Sequence, residues 1–148
     1  MCVSAARPKL PIQQIPLQGL TGAYLLMEEL PSDARRAGLS QEGLRTAVEL
    51  QLRRAGLRLV SKDAGAPTVY VNLNMIRDRD LPLLIYSLKV EVMEGVTLER
   101  DRSIFATATT WQKGTLGFVG ENRVGQLRQE LIELVDALAN DILAANQQ

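Results

Sequence analysis

The chain has 148 residues, 46% of them apolar and 23% charged, the length and balance of one ordinary globular domain able to bury roughly two-thirds of its unfolded surface. Lys plus Arg and Asp plus Glu both total 17, so no net field draws in a polyanion and nucleic acid is not an expected partner. Histidine is absent and the one cysteine is Cys2, which excludes zinc fingers, Ser-His-Asp and Cys-His sites and any internal disulfide, and leads to the expectation of no metal and no cofactor.

The first segment, Met1 to Gly19, contains Pro8, Pro11 and Pro16 and reads as an extended tail ahead of a single domain over residues 20–148. Its start, Met-Cys-Val-Ser-Ala-Ala-Arg-Pro-Lys, has neither the basic region nor the apolar core of a signal peptide. The expectation is therefore a cytoplasmic chain, or a periplasmic or secreted one whose leader has been trimmed. Cys2 would suit the lipid anchor of a trimmed lipoprotein, although an incidental terminal cysteine is the blander reading. The longest apolar stretch near the middle, Leu81 to Tyr86, is far short of the roughly 20 residues of a membrane span.

Ala23 to Leu30 reads as the first strand. Ser40 then makes a good N-cap, Glu42 sits where the helix dipole favours a carboxylate, and Leu44, Ala47, Val48, Leu52 and Ala55 form a stripe at helical spacing that Gly56 closes. Leu57 to Val60 is a short strand. Val69, Val71, Leu73 and Met75 alternate with Tyr70, Asn72 and Asn74, and Leu84, Tyr86, Leu88, Val90 and Val92 alternate with Ser87, Lys89 and Glu91, the period of strands with one dry and one wet face. Gly95 reads as a bulge before Val96 to Arg100, and Arg100 to Ser103 as the turn into a last strand, Ile104 to Trp111. A glycine-rich connection, Gly114-Thr-Leu-Gly-Phe-Val-Gly120, leads to a long helix from about Val124 to Ala145, whose stripe is Leu127, Leu131, Leu134, Val135, Leu138 and Ile142. The order β-α-β-β-β-β-α predicts an α+β two-layer domain: a mainly antiparallel sheet with two helices on one face.

No stretch carries a catalytic signature. The spacing Gly114-x-x-Gly117-x-x-Gly120 matches neither the P-loop nor the dinucleotide fingerprint, and a flexible turn from sheet to helix is the simpler reading. Arg77-Asp78-Arg79-Asp80 lacks the calcium-loop pattern, and the carboxylate groups Glu28-Glu29 and Glu91 with Glu94 show no general-acid arrangement in sequence alone. The outward positions are more informative. If Val69, Val71, Leu88, Val90, Ala106 and Ala108 face the helices, then Tyr70, Asn72, Asn74, Ser87, Lys89, Glu91, Phe105, Thr107, Thr109 and Trp111 share the opposite face, where three of six aromatics would stand among Asn and Thr as at a binding surface. An ordinary solvated sheet with cross-strand packing gives the same pattern.

Gly43-Leu-Arg-Thr-Ala-Val-Glu-Leu-Gln-Leu-Arg-Arg-Ala-Gly56, Val69-Tyr-Val-Asn-Leu-Asn74, Ala108-Thr-Thr-Trp111 and Val135-Asp-Ala-Leu-Ala-Asn-Asp-Ile-Leu-Ala-Ala-Asn146 resemble small uncharacterised bacterial proteins made with an export signal. The order of elements is similar to that of the N-terminal domain of the periplasmic protein TolB, which implies a protein-binding module of the cell envelope. The leading expectation is a non-enzymatic binding or assembly domain that holds a protein partner or a second copy of itself. The rival is a small-ligand-binding protein or enzyme built on residues 114–125, with Gly114, Gly117, Gly120 and Arg123 in the loop and Trp111 and Lys113 beside it.

Overall fold

The computed structural model describes residues 9–147. The elements in chain order are β1 (Gly22–Met27), α1 (Ser32–Arg36), α2 (Gln41–Arg54), β2 (Arg58–Leu59), β3 (Thr68–Arg77), β4 (Leu83–Leu98), β5 (Asp101–Gly120) and α3 (Gln126–Asn146), with short 3₁₀ turns at Ile15–Leu17, Lys62–Ala64 and Glu121–Arg123. They form a five-stranded sheet in the order β2-β1-β3-β4-β5. β1 runs parallel to both neighbours, because the α1–α2 crossover carries the chain back to the end at which it began, whereas β3, β4 and β5 form an antiparallel meander. The fold is α+β as the element order predicts.

Local chemistry explains the helices. Ser40 Oγ accepts a hydrogen bond from the Gly43 amide at 3.1 Å and starts α2; Gly56, with φ +83°, ends it in the left-handed region. Leu44, Val48 and Leu52 of α2 are buried, as are Leu127, Leu131, Leu134, Val135, Leu138 and Ile142 of α3. Both helices pack on the sheet face formed by Leu25, Val69, Val71, Leu84, Leu88, Val90 and Val92, which are all in the core.

Four features differ from the sequence expectations. Residues 11–19 are not an extended tail: Leu17 is fully buried, and Asn146 Nδ2 donates to the Leu17 carbonyl at 3.0 Å while the Gly19 amide donates to Asn146 Oδ1 at 2.7 Å, which docks the segment on the end of α3. Met1 to Pro8, with Cys2, lie outside the described residues. The glycine-rich stretch is not a loop but the second half of β5, pairing with β4 from Gly114↔Lys89 to Gly120↔Leu83. Gly95 is not bulged; it pairs with Thr107, and the ring of Phe105 lies over it where any Cβ would stand. The register instead shifts at two other places: between Thr97 and Leu98 near the hairpin tip, and on the partner strand, where Val92 pairs with Trp111 but Met93 with Thr109, leaving Thr110 as the extra residue.

That bulge moves Trp111. An extra residue inverts the alternation, so Thr109, Thr107 and Phe105 stay on the outer face while Trp111 turns toward the helices. Trp111 is 4% exposed, and its Nε1 donates to Asp141 Oδ2 of α3 at 2.9 Å; Gln14 of the docked N-terminal segment donates to the other carboxylate oxygen at 3.0 Å. Trp111 is thus a core anchor and not part of the outer surface.

Candidate functional site

The face of the sheet opposite the helices is covered by no element among the described residues. Cross-strand register sets its rows. Leu26, Tyr70, Glu91 and Gln112 make one row, and Asn72, Lys89 and Gly114 the next. Asn74, Ser87 and Leu116 follow, then Ile76, Ile85 and Phe118. The expected surface residues Tyr70, Asn72, Asn74, Lys89, Thr107, Thr109 and Phe105 therefore do share one face, with Trp111 as the exception.

The middle of this face is polar and internally satisfied. Tyr70 Oη donates to Glu28 Oε1 at 2.8 Å, Asn72 Nδ2 donates to Tyr70 Oη at 3.4 Å, and Asn74 Nδ2 donates to Asn72 Oδ1 at 2.5 Å. The hydrogen bond to Glu28 raises the Tyr70 phenol above its ordinary pKa, with burial adding to the effect. Glu91, the one buried charged residue among those described, accepts from Thr109 Oγ1 at 3.1 Å and lies 3.6 Å from Lys89 Nζ. This ladder orders side chains along β3 and leaves few free donors or acceptors.

The end of the face toward the β3–β4 connection is different. Leu116 is 78% exposed, Phe118 73%, Ile76 64% and Ile85 39%, and the rows above place the four together beside the outer edge of β5. Sequence pattern does not single them out, because the glycines around Leu116 and Phe118 predict a loop there. The alternation Gly114-x-Leu116-x-Phe118 against Ser87 and Ile85 was the available signal. Beyond the last residue of β3 paired with β4 at the opposite end, Thr68↔Met93, the β4–β5 hairpin continues as a two-stranded arm that carries Phe105 and Ile104, also exposed.

The glycines of β5 serve packing. At Gly117 a Cβ would lie 3.0 Å from Tyr86 Oη, so the glycine lets that ring cross β5 and donate to Glu130 Oε2 of α3 at 2.5 Å. Burial first, then the Glu130 carboxylate, pushes the Tyr86 phenol up to about 12. At Gly114 a Cβ would meet the Leu88 carbonyl oxygen at 2.9 Å. The phosphate-cradling reading of Gly114, Gly117 and Gly120 fails on this geometry, since a paired strand has no ring of inward amides; Arg123 stands exposed in the 3₁₀ turn beyond it. Two adjoining concavities beside the docked N-terminal segment are open to solvent. One of about 280 Å³ lies between Pro16 to Gly22, Arg58 and Glu94, and meets another of about 440 Å³ at Ala66 and Pro67. Asp78 forms a turn by accepting from the Asp80 and Leu81 amides, which lowers its pKa, and Arg77 pairs with Glu121 and Asp33. Among the described residues no group of three potential metal ligands exists and no helix is long and apolar enough to cross a membrane.

The chain matches no protein-family model and no curated protein. Among solved structures it is similar to a minor lipoprotein from Acinetobacter baumannii, at 16% identity over 86% of this chain and 90% of that one, with a TM-score of 0.38. It is also similar to the rare lipoprotein B from Shewanella oneidensis, at 14% identity over 84% and 92%, with a TM-score of 0.34. At such scores neither likeness carries an argument about fold or function. Neither structure is a TolB domain, so the TolB part of the resemblance has no support from them.

Proposed function

We propose that this chain is a non-enzymatic binding or assembly domain of the bacterial cell envelope that takes a protein partner on the β5 edge and the adjoining outer face. One observation carries the reading: Ile76, Ile85, Leu116 and Phe118 form a contiguous apolar patch beside β5, whose outer edge is paired by no strand among the described residues. Taking about 200 Å² per residue, their exposed parts sum to about 500 Å², in the upper part of the roughly 300–600 Å² that the largest, and often functional, patch of a soluble monomer presents. An edge strand offers backbone hydrogen bonds and the patch offers apolar area, the two components of recognition by strand addition. The polar ladder of Tyr70, Asn72 and Asn74 is spent on itself and supplies a rim. The envelope setting rests on the resemblance of the sequence to small exported proteins, and fractionation of the producing cell tests it directly.

A photo-crosslinking residue placed at Phe118 in the producing bacterium tests the binding surface. A discrete adduct from position 118, absent when the same residue replaces exposed Thr46 on α2, is the expected result. Equal labelling from both positions, or none from 118, rejects the reading.

A further inference from the structure

Resting on that reading, we infer that the occupant of the β5 edge is a second copy of this chain, paired antiparallel about Leu116. Natural edge strands are blunted by charge, proline or bulges. β5 has its bulge at Thr110, and Gln13 of the docked N-terminal segment lines an open concavity with Thr109 to Gln112, but from Gly114 to Gly120 the strand has no charge and no proline. The usable edge is thus the regular stretch from Gln112 to Gly120.

A two-fold axis perpendicular to the sheet restricts the register. Partner residues must lie on the same face, so the two residue numbers in each pair sum to an even number and one residue sits on the axis. Centring on Leu116 uses the whole stretch from 112 to 120. It sets Leu116 against its own copy and Phe118 against the partner's Gly114, a large exposed ring over a residue with no side chain. A phenylalanine ring over a cross-strand glycine already occurs in the molecule, where Phe105, paired with Thr97, reaches diagonally over Gly95. On the helix side Lys113 meets the partner's Val119, so the single charge of the stretch does not oppose itself. Centring on Thr115 would instead bring in Trp111, next to the Thr110 bulge, and would set Phe118 against Gln112. Nine paired residues supply about eight to ten backbone hydrogen bonds, since bonded pairs alternate and exchange two each; a standard interface has about ten. The result is a ten-stranded sheet with both helix layers on one side and the two apolar patches merged on the other.

Sedimentation and cysteine cross-linking test this. The wild type should show a concentration-dependent monomer–dimer equilibrium, and Leu116→Lys, which places two ammonium groups face to face on the axis, should lower the association constant by at least about tenfold. In a Cys2→Ser background, Leu116→Cys should oxidise to a covalent dimer. Phe118→Cys should not, because its two copies stand about 13 Å apart, beyond the roughly 7 Å reach of a disulfide. A wild type that stays monomeric, an association untouched by Leu116→Lys, or cross-linking at 118 and not at 116 each overturns the inference. None of these touches the proposed function, which survives if the adduct from position 118 in cells has the mass of a different protein and falls if there is no adduct.

Discussion

Replacing Trp111 tests the most consequential assignment in the fold. Trp111 is buried beneath α3 and the N-terminal segment, and its indole N–H is held by Asp141 at 2.9 Å. Trp111→Ala removes an aromatic group worth roughly 150–250 Å² of contact and leaves a cavity, for an expected loss of about 3–5 kcal/mol. Trp111→Phe keeps most of the apolar contact and removes the charge-assisted hydrogen bond, worth about 1.5–3 kcal/mol. Asp141 retains Gln14 as a donor, which places the loss toward the lower figure. Urea unfolding followed by far-UV circular dichroism measures both variants, and in the wild type, where Trp111 is the only tryptophan, its emission reports the same site: blue-shifted when folded and red-shifted on unfolding. The slope with denaturant should not change, so the midpoints alone carry the difference. A loss below about 1 kcal/mol for Trp111→Ala, or a red-shifted emission from the folded protein, would refute the burial argument and return Trp111 to the outer face.

Two further outcomes follow from close approaches. Gly114→Ala drives a Cβ against the Leu88 carbonyl and should destabilise by about 1–3 kcal/mol, whereas Gly125→Ala, in open space with φ −56° and ψ −22° before α3, should stabilise by about 0.4–1 kcal/mol; thermal or urea unfolding of the pair gives opposite signs if the contacts are as described. The Tyr86 phenol has an ordinary pKa of 10.0 in the unfolded chain and about 12 when folded, so the native state holds its proton longer. That contribution to stability is complete below pH 10 and is lost as pH rises through 12. The Tyr70 phenol is raised as well, so the titration is made in a Tyr70→Phe background: absorbance should show a phenol near pH 12 that disappears when Tyr86→Phe is added, and a late phase that survives would refute the assignment.

Much of this architecture follows from local pattern. A helix's buried stripe depends on a 3.6-residue period and its ends on Ser40 and Gly56, so α2 and α3 are legible from residues a few positions apart. The dry faces of β3 and β4 are legible for the same reason: the two-residue period of an unbulged strand needs no partner to reveal it. The polar half of the candidate surface, Tyr70, Asn72, Asn74 and Lys89, comes directly from that alternation. Where the tertiary structure decided, the deciding atoms are distant in sequence. Whether Gly114 to Gly120 turns or extends depends on β4 lying alongside and on the Tyr86 ring needing passage at Gly117, and glycine composition by itself favours the turn. The apolar patch of Leu116 and Phe118 was hidden by the same ambiguity. Pro11 and Pro16 disfavour a long α-helix or a ladder in the first segment, but it is Asn146, Asp141 and the cleft that takes Leu17, all distant in sequence, that dock it. The side of the sheet on which Trp111 falls is set by one unpaired residue, Thr110, because a bulge is a mismatch between two strands, and a mismatch has no signature in either strand alone.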